Sequence, residues 1–243
     1  MTLIVALACK DGIVMASDSQ ATTPSSAGPI RCQMSKIEKL GNHKLWAASG
    51  SLGIIQKISD AFISLPEESI DTSLNEPKLR QLILGMVHQI RLNELNRHRL
   101  LYGNNQDDKA QMADLIITEF VEGPKIWHID VDCRDEFLEK FGYGCSGVGD
   151  VFAHTLLKNH GIQEYCVEQG ALVAYRVIKE AIKVGAYGLG EPIDIWVITK
   201  NGVKQKTQEE MMALRDGYRV WLKTEENIFK LISSPLGSEI SLS

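Results

Sequence analysis

The sequence lacks an excess of basic residues, paired cysteines and long apolar runs, and each absence excludes a class of protein. Its 243 residues include 26 lysines and arginines against 31 acidic residues, which gives a formal net charge of -5. Nucleic-acid binding requires clustered positive charge, so the composition argues against a nucleic-acid partner. No apolar stretch reaches the roughly 20 residues needed to cross a bilayer, so we expect no membrane partner.

The cysteines exclude two further classes. There are five, an odd number, and no two of them stand in a CxxC pattern. Neither a disulfide framework nor a zinc site is therefore expected, and no other pattern requires a cofactor. Unpaired thiols are typical of a reducing compartment, which predicts a cytoplasmic protein. The five are Cys9, Cys32, Cys133, Cys145 and Cys166.

A polar leader is also missing. The sequence begins MTLIVALACKDG, so an apolar run follows Thr2 directly. A signal peptide is not indicated, because no basic segment precedes the run and the run is short. Most chains begin with a polar segment that stays disordered at little cost. The position of Thr2 therefore raises the question of what this residue does.

The apolar run and the segment after it predict a hairpin that is buried on both faces. Residues 2–8 and 13–17 read as strands, and Asp11-Gly12 between them is typical of a tight hairpin turn. Antiparallel sheets usually keep one face in contact with water. A hairpin that is apolar on both faces therefore needs further layers above and below it.

Apolar periodicity predicts the remaining elements. Groups of strands alternate with pairs of helices, which indicates an α+β fold with two sheets and helices outside them. We expect one domain over residues 1–243, with an extra C-terminal helix and tail at 207–243. Helices are expected over residues 51–64, 78–101, 150–160, 167–184 and 209–232, and further strands over 36–40, 45–49, 115–120, 125–131, 193–199 and 203–205.

Thr2 gains a chemical function if Met1 is removed. Methionine aminopeptidases act where the second residue is small, and threonine qualifies. Removal leaves an α-amine with a pKa of about 7.7–8.0 beside the hydroxyl of the same residue. The amine can accept the hydroxyl proton, which is the N-terminal threonine form of nucleophilic catalysis.

Three further residues fit that chemistry. Asp18 ends the second strand and lies across the hairpin from Thr2, within reach of a cross-strand pair. Its carboxylate could orient Lys36, which begins the next predicted strand, and a cation beside Thr2 would favour the ionised hydroxyl. Gly50 lies between a strand and a helix, where its backbone N–H could donate to a developing oxyanion.

The segments TLIVALACKDGIVMASDSQAT, MSKIEKL and AASGSLG resemble the N-terminal third of proteasome β-type subunits, and their bacterial homologues most closely. The resemblance extends over residues 2–205 and implies a four-layer αββα sandwich of two antiparallel sheets, the fold of N-terminal-nucleophile (Ntn) hydrolases. It implies a threonine endopeptidase in which Thr2 is nucleophile and base. The implied supporting residues are Asp18 and Lys36 as a pair, Gly50 as oxyanion donor, Thr22 as partner of the substrate backbone, and Ala21, Met34, Ala48 and Leu52 as an apolar substrate pocket with Glu38 nearby.

Two stretches depart from the family pattern. The family has a supporting serine before its third helix, where Val148 stands in this alignment and Ser146 is the nearby catalytic candidate. The family also has an aspartate and a serine before its penultimate strand, where this chain has Gly185 and Gly188. Two polar supports of the α-amine are therefore replaced.

Two other patterns carry weaker hypotheses. Residues 142–147 match GxGxxG, which binds dinucleotides when it joins a strand to a helix in a βαβ unit. Such a unit is not indicated here, so we expect a tight turn. His128, Asp130 and Asp132 alternate and are expected on one strand face, where a solvated surface is favoured over a metal site.

The resemblance thus predicts a cytoplasmic threonine peptidase that acts on peptides or unfolded proteins within a homo-oligomeric double ring. An ATP-dependent unfoldase or cap is a partner that the family allows. Two alternatives stay open. One is a non-peptidase Ntn amidohydrolase acting on a small amide, and the other is a catalytically silent ring-assembly protein.

Overall fold

Two buried strands at the N-terminus form the centre of the fold. β1 (Leu3–Cys9) and β2 (Gly12–Asp18) pair as an antiparallel hairpin, and every residue of both strands is buried. The hairpin expectation is confirmed. Because no edge or face of this hairpin meets water, its apolar side chains require sheets and helices on both sides.

The computed structural model describes residues 1–23, 30–103, 112–185 and 188–232, and the chain divides into two compact units, Met1–Gln205 and Lys206–Ser243. The first unit holds two five-stranded antiparallel sheets and a two-stranded ribbon. Its other strands are β3 (Gln20–Thr23), β4 (Ile30–Gln33), β5 (Ile37–Lys39), β6 (Lys44–Gly50), β7 (Ala113–Phe120), β8 (Pro124–Ile129), β9 (Asp135–Phe137), β10 (Tyr143–Gly147), β11 (Ile193–Thr199) and β12 (Gly202–Gln205). The first sheet has the order β10-β1-β2-β11-β12, the second sheet has the order β5-β6-β7-β8-β9, and the ribbon pairs β3 with β4.

Helices cover the outer face of each sheet. α4 (Asp150–Leu157) and α5 (Val167–Val184) pack on the first sheet. α1 (Leu52–Ile63) and α3 (Pro77–Tyr102) share an apolar cluster with the second sheet, and α2 (Glu67–Ile70) lies between them in sequence. The fold is therefore α+β, with the four-layer αββα order that the resemblance implied.

The layer between the two sheets is mainly apolar. Side chains from both sheets meet there, and Ile4, Ile13, Leu45 and Ile116 are each fully buried. At one edge of the sandwich, β1 begins and β2, β6 and β10 end. Polar residues replace apolar ones at that edge, which places the candidate site there.

Residues 143–147 of the glycine-rich segment form β10, so the prediction of a tight turn holds only for Gly142, which has a φ of +80° in the turn before the strand. β10 pairs with β1, and Gly147 lies opposite Leu3. A Cβ added to Gly144 would lie 3.0 Å from side-chain atoms of both Ile126 and Leu138. A larger residue would have to displace these two side chains, so close packing favours glycine here, which is a common reason for glycine inside a strand.

The second unit contains α6 (Gln208–Ile232) in its described part. The helix starts with a capping box, since the Glu210 N–H donates to Thr207 Oγ1 at 3.3 Å and the Thr207 N–H donates to Glu210 Oε2 at 2.7 Å. This satisfies two backbone donors at the helix start. Across the described helices, none combines the length and the apolar composition that a membrane span requires.

Candidate active site

Asp18 is the buried acceptor around which the site is built. The residue is 0% exposed at the end of β2, and its Oδ1 accepts the Leu3 N–H at 3.0 Å. Its Oδ2 accepts the N–H groups of Gln20 at 3.2 Å and Gly190 at 3.3 Å. All three contacts come from backbone N–H donors, and each carboxylate oxygen can accept more than one such bond. Asp18 therefore fixes the start of β1 from within the first sheet.

Lys36 completes the pair from the other sheet. It stands directly before β5, and its Nζ lies 2.7 Å from Asp18 Oδ1 with the side chain 6% exposed. The same Nζ donates to the Met1 carbonyl oxygen at 2.9 Å. Burial lowers the pKa of Lys36, while the charge and hydrogen bond of Asp18 raise it, and the net shift is downward. The ammonium thus contacts the peptide unit that joins Met1 to Thr2.

The backbone of Thr2 is held from the opposite side. Its carbonyl oxygen accepts the Val148 N–H at 2.9 Å. A Cβ added to Gly147 would lie 2.1 Å from that carbonyl oxygen, so only glycine permits this approach. Val148, which the alignment placed at the family's serine position, contributes its backbone, and its side chain is exposed. Thr2 is therefore fixed between β10 and the Asp18–Lys36 pair.

Gly50 has a backbone conformation that requires glycine. Its φ is +125°, and an added Cβ would lie 2.3 Å from the carbonyl oxygen of Met112. Gly50 ends β6, and α1 begins two residues later at Leu52. The end of β6 and the first turn of α1 line the same cleft as Thr2.

We expect alanine at Gly50 to destabilise the protein and alanine at Gly53 to stabilise it. Alanine at Gly50 meets the Met112 carbonyl and an unfavourable φ, so the free energy of unfolding should fall by about 1–3 kcal/mol. A Cβ at Gly53 in α1 meets no described atom within 4 Å, so Gly53→Ala should add about 0.5–1 kcal/mol. Urea unfolding of both variants measures this, and equal stabilities would contradict the strained conformation of Gly50.

The cleft beside Thr2 has a volume of about 500 Å³. It contains Thr2, Lys36 and Gly50, and the structure also brings Ala21, Met34, Ala48, Leu52 and Glu38 to its wall, where the sequence placed a substrate pocket. Sequence reasoning missed Trp46, Ile55 and Met112, which line the same cleft. Thr22 belongs to β3 opposite Arg31, and its side chain lies outside the described residues.

A second polar group, which we name the Ser146 network, joins the sheets on the β10 side of Thr2. It consists of Ser146 on β10, Ser49 on β6, Asp114 on β7 and His128 on β8. Ser146 Oγ lies 2.8 Å from Ser49 Oγ and 2.5 Å from Asp114 Oδ2, and Asp114 Oδ1 lies 2.7 Å from His128 Nε2. Of these four residues, the sequence analysis named Ser146 as a catalytic candidate and His128 only as part of an expected solvated strand face. Asp114 could have been found from the sequence, because it is a carboxylate at an inward position of the otherwise mainly apolar strand ADLIITEF.

The order of these contacts is not that of a serine–histidine–carboxylate triad. In a triad the imidazole contacts the hydroxyl, whereas here the Ser146 hydroxyl contacts the carboxylate of Asp114. Ser146 is also 1% exposed, so a substrate cannot reach its oxygen. The Ser146 network therefore does not provide a second nucleophile.

The remaining polar candidates lie apart from this site. β8 ends at Ile129, so the expectation that His128, Asp130 and Asp132 share one strand face was wrong, and Asp130 and Asp132 instead pair with Arg134 in a turn. Within the described ranges, no group of three or more histidine, cysteine or acidic side chains could hold a metal ion.

At the second departure from the family, Gly188 packs against Met1, since an added Cβ would lie 2.8 Å from Met1 Cε.

Several curated proteins align with this chain over most of its length at low sequence identity. The chain is 26% identical over 219 residues to proteasome subunit beta 2 of Nitrosopumilus maritimus, an alignment that covers 88% of this chain and 93% of the relative. It is 23% identical over 219 residues to proteasome subunit beta 1 of Thermococcus kodakarensis, covering 88% of this chain and 96% of the relative.

A solved structure and a family model agree with these relatives. The structure described as "Anbu (Gly-1) mutant" from Hyphomicrobium sp. strain MC1 superposes with a TM-score of 0.70 at 13% identity, covering 96% of this chain and 99% of that chain. At that identity the likeness shows the fold alone. The family model described as "Proteasome subunit" matches residues 2–198. The chain therefore belongs to the proteasome subunit family.

Proposed function

We propose that this chain is a threonine-type peptidase subunit of a proteasome-like assembly, in which Thr2 cleaves peptide bonds after Met1 has been removed. One observation carries the proposal. The buried Asp18–Lys36 pair lies against the backbone next to Thr2: Asp18 accepts the Leu3 N–H, and the Lys36 ammonium reaches the Met1–Thr2 peptide unit, where removal of Met1 would leave the α-amine. A buried ion pair is costly to form, and its position at the chain terminus supports a chemical role for that terminus.

The chemistry begins with proton transfer within Thr2. The free α-amine takes the hydroxyl proton as Oγ1 attacks the substrate carbonyl carbon, and the Gly50 N–H would donate to the resulting oxyanion. The protonated amine then gives its proton to the leaving nitrogen, and the C–N bond breaks to leave an ester on Thr2. Water attacks this ester with the amine again as base, which releases the acid and restores Thr2.

Lys36 acts on this sequence through its charge. Its ammonium next to Thr2 favours the ionised hydroxyl and lowers the proton affinity of the new α-amine, because like charges repel. An amine whose pKa is lowered from about 7.7–8.0 is more fully neutral at pH 7, and so more of it can act as a base. Asp18 keeps the ammonium in place and balances its charge.

The substrate would bind as an extended peptide across the cleft. In the described part of the chain, β3 pairs with β4 and with no other strand. Its second edge can therefore add a substrate peptide as a further strand, by backbone hydrogen bonds. Thr22 lies on this strand. Met34, Ala48 and Trp46 would contact the apolar stem of a substrate side chain, and Glu38 adds a carboxylate to the same wall.

The assembly would be a homo-oligomeric double ring in the cytoplasm, with an ATP-dependent unfoldase or cap as a further partner. The relatives named as proteasome beta subunits support ring assembly. All five cysteines are free, which fits a reducing compartment. Enclosure in a ring would keep an unselective peptidase away from folded proteins.

Intact mass and covalent labelling test the proposal together. We expect the purified protein to have the mass of a chain that begins at Thr2, to be acylated by a β-lactone at that residue, and to cleave fluorogenic peptides. Labelling at Thr2 without cleavage of any peptide would favour an amidohydrolase acting on small amides. Absence of both labelling and cleavage from a chain that lacks Met1 would refute the peptidase.

A catalytically silent assembly subunit is the second candidate. It is favoured by the contact between Lys36 Nζ and the Met1 carbonyl, which satisfies the ammonium while Met1 is still attached. It also fits the glycines that replace two polar family residues. A protein that keeps Met1 in a complete ring, and that no β-lactone labels, would support this candidate.

A further inference from the structure

The Ser146 network has a single direction of proton donation. An ionised carboxylate only accepts hydrogen bonds, so the Ser146 hydroxyl must donate to Asp114 at 2.5 Å. The Ser146 oxygen is then the acceptor for the Ser49 hydroxyl at 2.8 Å. On the far side, the contact of 2.7 Å between His128 Nε2 and Asp114 requires the imidazole proton on Nε2. Asp114 is therefore the acceptor that orders the whole chain.

The charge on His128 supports this order. Burial alone lowers the pKa of His128, but its hydrogen bond and charge interaction with Asp114, together with Glu136, outweigh burial and raise it. Glu136 Oε1 lies 3.6 Å from the other ring nitrogen. The raised pKa of His128 favours a proton on Nε2, which donates to Asp114 Oδ1, while Asp114 Oδ2 accepts the Ser146 hydroxyl.

The inner end of the network lies against the residues proposed for catalysis. Ser49 directly precedes Gly50 on β6, and Ser146 directly precedes Gly147, which packs against the Thr2 carbonyl. A Cβ at Gly147 would also lie 3.4 Å from Ser49 Cβ. Small displacements of either serine would therefore move the backbone on which Thr2 and Gly50 depend.

The network and the Asp18–Lys36 pair flank Thr2 symmetrically. β1 lies between β10, which carries Ser146, and β2, which carries Asp18. Each of these neighbours makes a polar contact across the sandwich, β10 with Ser49 and Asp114 of the second sheet, and β2 with Lys36, which directly precedes β5 of that sheet. The proposed nucleophile belongs to the first sheet and the proposed oxyanion donor to the second. The two sets of polar contacts therefore connect these parts of the structure on both sides of Thr2.

We propose that Asp114 and His128 are positioning residues, which orient Ser146 and Ser49 and thereby hold Gly50 at a fixed distance from Thr2. The proposal rests on the proposed peptidase function. Neither residue touches the substrate in this scheme. Their effect reaches the reaction through the strand ends of β6 and β10.

Kinetics of three variants test this role against a merely structural one. Asp114→Asn cannot accept hydrogen bonds at both former oxygens, and we expect kcat to fall by about 10–100-fold with KM changed less than about twofold. His128→Gln keeps an N–H donor and should retain most of kcat, whereas His128→Phe lacks one and should resemble Asp114→Asn. Asp132→Asn is the matched control, because Asp132 is an exposed carboxylate paired with Arg91 outside the network.

Amide hydrogen exchange gives a readout that does not need activity. We expect Asp114→Asn to speed exchange at residues 50–51 and 147–148 by about tenfold or more, and Asp132→Asn to leave it unchanged. If the wild-type protein has no turnover, the peptidase proposal fails, and exchange alone then supports or overturns the role of the network. Unchanged exchange, or faster exchange with unchanged kcat in an active enzyme, overturns it. If Asp114→Asn does not fold, the comparison of His128→Gln with His128→Phe decides by the same criteria.

Discussion

Replacing Thr2 with alanine should abolish peptide hydrolysis and leave the stability of the fold almost unchanged. Alanine is also small enough for Met1 removal, but it lacks the attacking oxygen, so we expect kcat to fall by about 10³-fold or more. The contacts that fix this position are made by the Thr2 carbonyl and the Leu3 N–H, which the substitution does not remove. Initial rates with a fluorogenic peptide and urea unfolding measure the two effects.

Two variants control this experiment. Thr155→Ala makes the same chemical change on an exposed position of α4, and it should have wild-type rates. Thr2→Ser keeps a hydroxyl and an α-amine, and it should retain measurable hydrolysis. Hydrolysis by Thr2→Ala at the wild-type rate would show that the attacking group lies elsewhere, and the assignment of Thr2 would then be wrong.

Replacing Lys36 with methionine should cause the largest loss of stability among single substitutions at the site. The substitution leaves the Asp18 carboxylate without its cation, and Asp18 is 0% exposed. Breaking one side of a buried pair in this way costs about 3–5 kcal/mol. We expect peptide hydrolysis to be lost as well, because the charge beside Thr2 is gone. Urea unfolding at pH 7 gives the free energy, and peptide assays below the unfolding transition give the rate.

A double variant separates the two effects of Lys36. Asp18→Asn combined with Lys36→Met removes both charges, so it should recover part of the stability that the single variant loses. It should not recover hydrolysis. Lys230→Met is the control for an exposed pair, because Lys230 and Glu226 are both mainly exposed and contribute about 0–1 kcal/mol. A Lys36→Met variant as stable as this control would contradict a buried ion pair at the site.

Local sequence patterns predict much of the fold because the strongest elements are locally encoded. α5 was predicted at Val167–Val184 and β11 at Ile193–Thr199, and the structure gives the same bounds. Their apolar periods are regular and their ends are marked by glycine or by turn residues. β10 was missed because its glycines indicate a turn unless the packing partners on other strands are known.

The candidate site divides in the same way. Asp18 follows Thr2 around one hairpin, so strand pairing places it near the N-terminus, and the resemblance adds Lys36 and Gly50. The Ser146 network depends on contacts between residues far apart in sequence, such as Ser49 with Ser146 and Ser146 with Asp114. No local pattern encodes these distances, because they follow from how one sheet lies on the other.

The complete burial of β1 has a consequence for the cost of catalysis. Residues 3–9 are at most 1% exposed, so the terminus that carries Thr2 cannot fray unless a middle strand of the first sheet separates from its neighbours. The disorder that usually belongs to the end of a chain is therefore removed when the protein folds. In the proposed peptidase, the buried strand β1 would already hold the residue next to Thr2 in place, so less of the substrate's binding energy would be needed to arrange the attacking group.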